Sequence, residues 1–115
     1  MKRGKVKVAK EPWGNEKHFA INKTCTVKIL TVEPGQELSL QSHKKRQENW
    51  YFLTPGTAVV GDKKFRVKAG DYIQIKKGQK HRAIAGKTKV QFLEISFGKF
   101  VKQDEVRYAD KYGRK

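Results

Sequence analysis

The sequence predicts an all-β sandwich or barrel, and two observations carry this. About eight or more short runs rich in β-branched and aromatic residues follow one another at regular spacing, and nearly every gap between them holds a glycine. Sustained apolar residues at helical spacing are missing, apart from a thin pattern near the C-terminus. At 115 residues the chain suits one domain, and residues 1–115 contain no repeat, linker or low-complexity stretch.

Residues 1–10 alternate basic residues with Val6, Val8 and Ala9, as a flexible arm or an edge strand with its lysines outward. Glu11-Pro12-Trp13-Gly14 is a bend, with Trp13 as a large apolar anchor. Residues 24–32 read as a strand, Val27 and Ile29 alternating with Thr26, Lys28 and Leu30. Gly35 then sits where a type II turn needs a positive φ. Strands follow at 38–41 and 49–53, separated by a basic loop at 44–47. Runs 57–60 and 63–67 flank Gly61-Asp62 as a tight hairpin. Strands are expected again at 71–75, 81–85 and 90–97, the last with Val90, Phe92, Glu94 and Ser96 on one face. Residues 100–112 are less regular: Val101, Val106, Ala109 and Tyr112 suggest an irregular or short helical C-terminal segment.

The net charge is +16, from 27 basic and 11 acidic residues. Such a field favours anionic partners: phosphorylated metabolites, nucleic acid or an anionic membrane. The lysines are spread along the chain, and the aromatics lie inside strand patterns, so nucleic acid is not expected as a partner. No apolar run reaches membrane-spanning length and the N-terminus lacks an apolar signal core, so the expected location is the cytoplasm, away from membranes. Cys25 is the single cysteine and excludes an intrachain disulfide. There is no P-loop, no G-x-G-x-x-G after a strand, no paired C-x-x-C and no G-x-S-x-G.

Gln41 and His43 lie two apart, so on a strand they leave the same face. Glu48 opens the next apolar run, and His81 follows a further strand in GQKHRA. Gln41, His43, Glu48 and His81 offer mixed nitrogen and oxygen donors, which suit Zn, Mn, Fe, Co or Ni.

These residues carry a resemblance. Gly35, Gln41, His43, Glu48 and Gly56 resemble the first motif of the cupin superfamily, and Gly70, Gly78 and His81 resemble the second. The run Pro34-Gly35, Leu38-Ser39-Leu40-Gln41, His43, Arg46, Glu48, Trp50 is similar to the cupin domain of type II mannose-6-phosphate isomerases. So are the opening Pro12-Trp13-Gly14 and the closing Arg107, Asp110, Tyr112-Gly113-Arg114. The similarity covers essentially the whole chain. Lys76 and Ala85 depart from the Pro and Asn usual in the second motif.

The resemblance implies a double-stranded β-helix, or jelly-roll barrel, with a divalent ion, zinc first, bound inside by Gln41, His43, Glu48 and His81. It implies interconversion of mannose 6-phosphate and fructose 6-phosphate. That chemistry asks for a base near the reacting carbons, stabilisation of an oxyanion and a grip on phosphate. Glu94, a lone acid in an apolar strand, is the first candidate base, the alternative being that it faces solvent or pairs with a lysine. Arg107 and Arg114 are candidates for enediolate or phosphate contacts, the alternative being ion pairs with Asp104 or Asp110. Lys76, Lys80 and Arg82 flank the second motif and are expected to add to the grip. Trp50 is either core or a sugar-stacking wall. A phosphorylated hexose is the expected partner, in a homodimer. A non-catalytic cupin that senses a phosphorylated sugar or another anion is the alternative.

Overall fold

The structure, a computed structural model, describes residues 4–114. Strands β1 (Lys7–Glu11) and β2 (Gly14–His18) form a hairpin of their own. An antiparallel sheet runs in the order β3 (Cys25–Val32), β10 (Val90–Gly98), β5 (Arg46–Phe52), β8 (Tyr72–Ile75). A second runs in the order β11 (Glu105–Ala109), β4 (Leu40–His43), β9 (His81–Ile84), β6 (Gly56–Val60), β7 (Lys63–Val67). From β3 onward the chain changes sheet at every step except the β6–β7 hairpin. That winding is the double-stranded β-helix. The hairpin stays in one sheet because its turn is tight, and Gly61 supplies the positive φ, 63°, that such a turn requires.

The inward face changes character halfway along the barrel. On β5 the residues at one parity are Arg46, Glu48, Trp50 and Phe52, all buried. On β10 their neighbours are Phe92, Glu94 and Ser96, in register with Phe52, Trp50 and Glu48. One half is therefore aromatic and apolar, where Trp50, Phe52 and Phe92 pack at ring-centre distances of 4.5 to 6.2 Å. Val60 and Ala83 from the facing sheet and Ile73 from neighbouring β8 complete that core. The other half is polar and still buried, and there each group needs a partner.

Several expectations are corrected. Residues 100–112 form no helix beyond a single 3-10 turn at Lys102–Asp104; β11 follows it. Backbone pairing of Glu105 with His43 and of Arg107 with Gln41 overrides the weak apolar spacing. The basic loop is shorter than expected, since β5 begins at Arg46. Trp13 anchors nothing: it stands 72% exposed at the tip of the β1–β2 hairpin. Val27 and Ile29 are exposed, because the inward parity of β3 belongs to Lys28 and Leu30, the neighbours of Glu94 and Phe92. Residues 1–3 of the expected arm lie outside the described residues; β1 forms its last part and pairs with β2. Among the described residues no helix is long and apolar enough to cross a membrane.

Candidate metal centre

β4 ends on His43, β5 carries Glu48 and β9 begins with His81. Their donor atoms lie within 4.8 Å of one another, and all three residues are buried. His43 Nδ1 is 3.4 Å from Glu48 Oε2, and His81 Nε2 is 3.5 Å from Glu48 Oε1.

The protons on the two imidazoles are used elsewhere. His81 Nδ1 lies 2.9 Å from the Gln79 carbonyl, which only an N–H can satisfy. His43 Nε2 lies 3.4 Å from a Glu105 carboxylate oxygen, again a contact for an N–H. Burial, first of all, lowers the pKa of both histidines and favours neutral rings. Each ring therefore turns a lone pair toward an oxygen of Glu48. His43 Nδ1 is buried with no hydrogen-bond partner. Lone pairs facing a carboxylate across about 3.5 Å repel, and a cation among them reverses the sign. The donor set and its outer contacts fit a divalent ion: two imidazoles, each oriented by an oxygen acceptor, and one carboxylate.

Glu48 is positioned from both sides. Arg46 Nε donates to Oε2 at 3.0 Å and Trp50 Nε1 to Oε1 at 3.1 Å. Burial pushes its pKa up, but His81 and His43 when protonated, together with the bonded Arg46 guanidinium, outweigh it, and the carboxyl lies below its ordinary range. Gln41 pairs with His81 across β4 and β9. Its amide nitrogen donates to Ser39 Oγ at 3.2 Å, which leaves its carbonyl oxygen as a fourth donor.

A cavity of about 290 Å³ opens beside the cluster, lined by Gln41, Glu48 and His81 together with Glu94 and Arg107. His43 completes the cluster without lining the cavity. Leu30, Leu38 and Trp50 give it an apolar wall. Glu94 is 6% exposed, so it is buried and not a surface acid. Burial and then the charge of Glu48 push its pKa to about 7, against the pull of Lys28. Arg107 Nη2 is 2.6 Å from Glu105 Oε2, a different acid from those expected.

Four residues expected to grip substrate, Lys76, Lys80, Arg82 and Arg114, do not line this cavity. Arg82 follows His81 on β9 and so points to the opposite face. There it bonds the carbonyls of Leu38 and Ala109 and pairs with Glu37 at 3.0 Å. Lys80 is exposed, its Nζ 4.2 Å from the centre of the Tyr108 ring. Arg114 is paired with Asp110 at 2.8 Å and largely solvated. Trp50 is core and site at once, ring in the apolar cluster and indole N–H on Glu48. Conversely, Arg46, Glu105, Lys28, Phe100 and Lys102 contribute to the lining without having been singled out for it. Arg46 alone had a local signal, since it lies two residues before Glu48 on one strand.

The sequence profile of the family described as mannose-6-phosphate isomerase C-terminal matches residues 2–111. The chain belongs to this family. Among relatives, the mannose-1-phosphate guanylyltransferase of Escherichia coli (strain K12) is 36% identical over 108 residues, 90% of this chain and 22% of that protein. The chain spans less than a quarter of the length of the curated relatives it matches first. A Klebsiella pneumoniae protein with a double-stranded β-helix domain superposes with a TM-score of 0.64 at 24% identity, over 76% of both chains. Bacillus subtilis oxalate decarboxylase, which has Mn(II) centres, gives 0.64 at 24% identity, over 75% of this chain and 24% of that one. These likenesses show the fold. The mannose-6-phosphate isomerase C-terminal match includes all four donors, Glu94 and Arg107, while Arg114 lies beyond it.

Proposed function

We propose that the chain is a metal-dependent sugar-phosphate isomerase interconverting mannose 6-phosphate and fructose 6-phosphate. One observation carries this reading: a buried His43–Glu48–His81 cluster that calls for a cation adjoins a cavity that also holds a second buried acid, Glu94. Family membership supports the choice of sugar.

Gln41, His43, Glu48 and His81 would hold the divalent ion, zinc or a related first-row metal. When bound there it supplies Lewis acidity toward a developing oxyanion. Glu94 takes the proton from C2 of the aldose, the O2 hydroxyl proton passes to O1, and Glu94 returns its proton to C1; the ketose runs the same steps in reverse. Arg107, held by Glu105, faces the negative charge of the enediolate. Leu30, Leu38 and Trp50 keep water from the held proton.

Metal analysis joined to a coupled assay with mannose 6-phosphate tests this, with exchange of the C2 proton into deuterated solvent as a second readout. His43→Ala and His81→Ala should each lose most of the metal and the turnover. A metal-loaded wild type that binds mannose 6-phosphate but catalyses neither turnover nor exchange would replace the enzyme with a non-catalytic sugar-phosphate sensor.

A further inference from the structure

Four cations line the cavity: Lys28, Arg46, Lys102 and Arg107. Two are committed, Arg46 to Glu48 and Arg107 to Glu105. Lys28 and Lys102 make no ion pair among the described residues. Lys28 Nζ lies 3.9 Å from the centre of the Phe100 ring, and the Arg46 guanidinium lies 4.4 Å from the same centre. One aromatic ring thus gathers two cations at the cavity, with Lys102 two residues further along. The ring attracts each cation, but their mutual repulsion remains, and an anion among them relieves it.

The segment that carries Phe100 and Lys102 is built into the site. Gly98, at φ 110°, runs so close to the β4–β5 turn that a Cβ would stand 2.5 Å from the Lys45 carbonyl oxygen. The Lys99 N–H donates to that same oxygen at 3.2 Å. Asp104 then accepts the N–H groups of Lys44 and Lys45 at 3.2 and 2.8 Å. Residues 98–104 are therefore stapled at both ends to the turn that separates His43 from Glu48. Lys28 is fixed separately, as the register partner of Glu94.

We propose that Lys28, over the Phe100 ring, and Lys102, on the stapled segment that carries Phe100, hold the phosphoryl group of a phosphate monoester whose other end lies at Glu94 and the donor cluster. Resting on the sugar-phosphate reading above, this moves the grip from Lys80, Arg82 and Arg114 to residues on a different strand and a different connection. A hexose 6-phosphate suits such a site because its reacting carbons and its dianion lie at opposite ends.

The experiment is titration of inorganic phosphate into the metal-loaded full chain by calorimetry, at ionic strength held constant with chloride. Lys28→Gln and Lys102→Gln should each weaken phosphate binding about tenfold, the loss of one charge-assisted contact. Lys63→Gln, an equal loss of charge on exposed β7, should bind as wild type does. In the isomerase assay the two variants should raise KM for mannose 6-phosphate by a similar factor with kcat nearly unchanged. Both lysines are exposed, and metal content and melting temperature verify that the variants fold. Wild-type affinity in Lys28→Gln and Lys102→Gln overturns the proposal, as does an equal loss in Lys63→Gln or no phosphate binding by wild type. Phosphate binding that depends on Lys28 and Lys102 in a chain that never turns over mannose 6-phosphate upholds the anion site and removes the isomerase reading alone.

Discussion

Replacing Arg46 with Met should destabilise the metal-free protein strongly and the metal-loaded protein far less. The pair Arg46 Nε–Glu48 Oε2 is 3.0 Å long, and its side chains are 5% and 2% exposed. At an effective dielectric of about 20, two unit charges at that separation attract by roughly 5 kcal/mol. Methionine keeps most of the apolar stem but leaves Glu48 ionised and buried, a situation that costs about 3–5 kcal/mol when one partner of such a pair is removed. The Trp50 bond at 3.1 Å survives and the two histidines can take up protons, which places the expected loss near 3 kcal/mol. For a chain of this size that is a fall in melting temperature of about 12 °C. A divalent ion in the donor cluster restores a positive charge against Glu48, so saturating metal should stabilise the variant more than wild type. Thermal unfolding with and without a chelator measures both numbers. Arg46→Lys, which keeps charge without the planar fork, should fall between them. A metal-free Arg46→Met that melts within about 2 °C of wild type would refute the charge argument. A deficit unchanged by metal would show that Arg46 acts through packing instead.

Three further outcomes follow from other parts of the site. Glu94→Gln should keep metal and KM while lowering kcat about 10²–10⁴-fold, the usual contribution of a general base; an active variant would discard Glu94 as the proton carrier. Gly98→Ala puts a Cβ 2.5 Å from the Lys45 carbonyl oxygen at a φ of 110°, and should destabilise by about 1–3 kcal/mol. It should also weaken phosphate binding while sparing the metal, and calorimetry at full metal occupancy decides whether it does. The Arg114 guanidinium holds the Asp110 carboxyl down at about 2. A depressed carboxylate stabilises fully above its unfolded value and loses that contribution as pH falls through its folded value. Amide protection over β11, taken relative to the intrinsic exchange rate at each pH, should therefore fall between about pH 4 and 2, and Asp110→Asn should be less protected already at neutral pH. Equal exchange in wild type and variant at pH 7 would remove the lock.

The strands that alternate apolar and polar residues were legible, because a half-buried strand writes period two into its own sequence. The hairpin 56–67 is the clearest case. β2 was not legible, since Gly14-Asn15-Glu16-Lys17-His18 has no apolar residue and owes its form to pairing with β1. β11 was missed for a related reason: its partner, β4, lies far away in the chain. The convergence of His43, Glu48 and His81 was readable from motif spacing, whereas strand parity related only Gln41 to His43. Arg82 shows what neglect of parity costs. It neighbours His81 in sequence and was expected beside it, yet an odd step along a strand sends it to the other face. Arg46, an even step from Glu48, lies on the buried face with it. Lys28 and Lys102 join the cavity only through β3–β10 pairing and the stapled connection after β10, neither of which leaves a local signal.

The charge of the whole chain and the charge of the site are separate quantities. The cavity lining holds four cations against Glu48, Glu94 and Glu105, so it is close to balanced while the chain carries +16. Much of the excess therefore lies outside the cavity and is screened over about one Debye length, roughly 8–10 Å. Its effect is to raise the encounter rate of any anion, without choosing among them. Selection has to come from arrangement inside the cavity. Glu48 is answered by Arg46 and the donor cluster, and Glu105 by Arg107 and His43. Glu94 has its pKa pushed to about 7 and adds less negative charge than an ordinary carboxylate. Subtracting these leaves Lys28 and Lys102, offset in part by Glu94, as the charge that an entering molecule meets. Under the proposed reading an inorganic anion would satisfy the lysines alone and a neutral sugar would reach Glu94 alone, so a phosphorylated sugar, which does both, should bind more tightly than either.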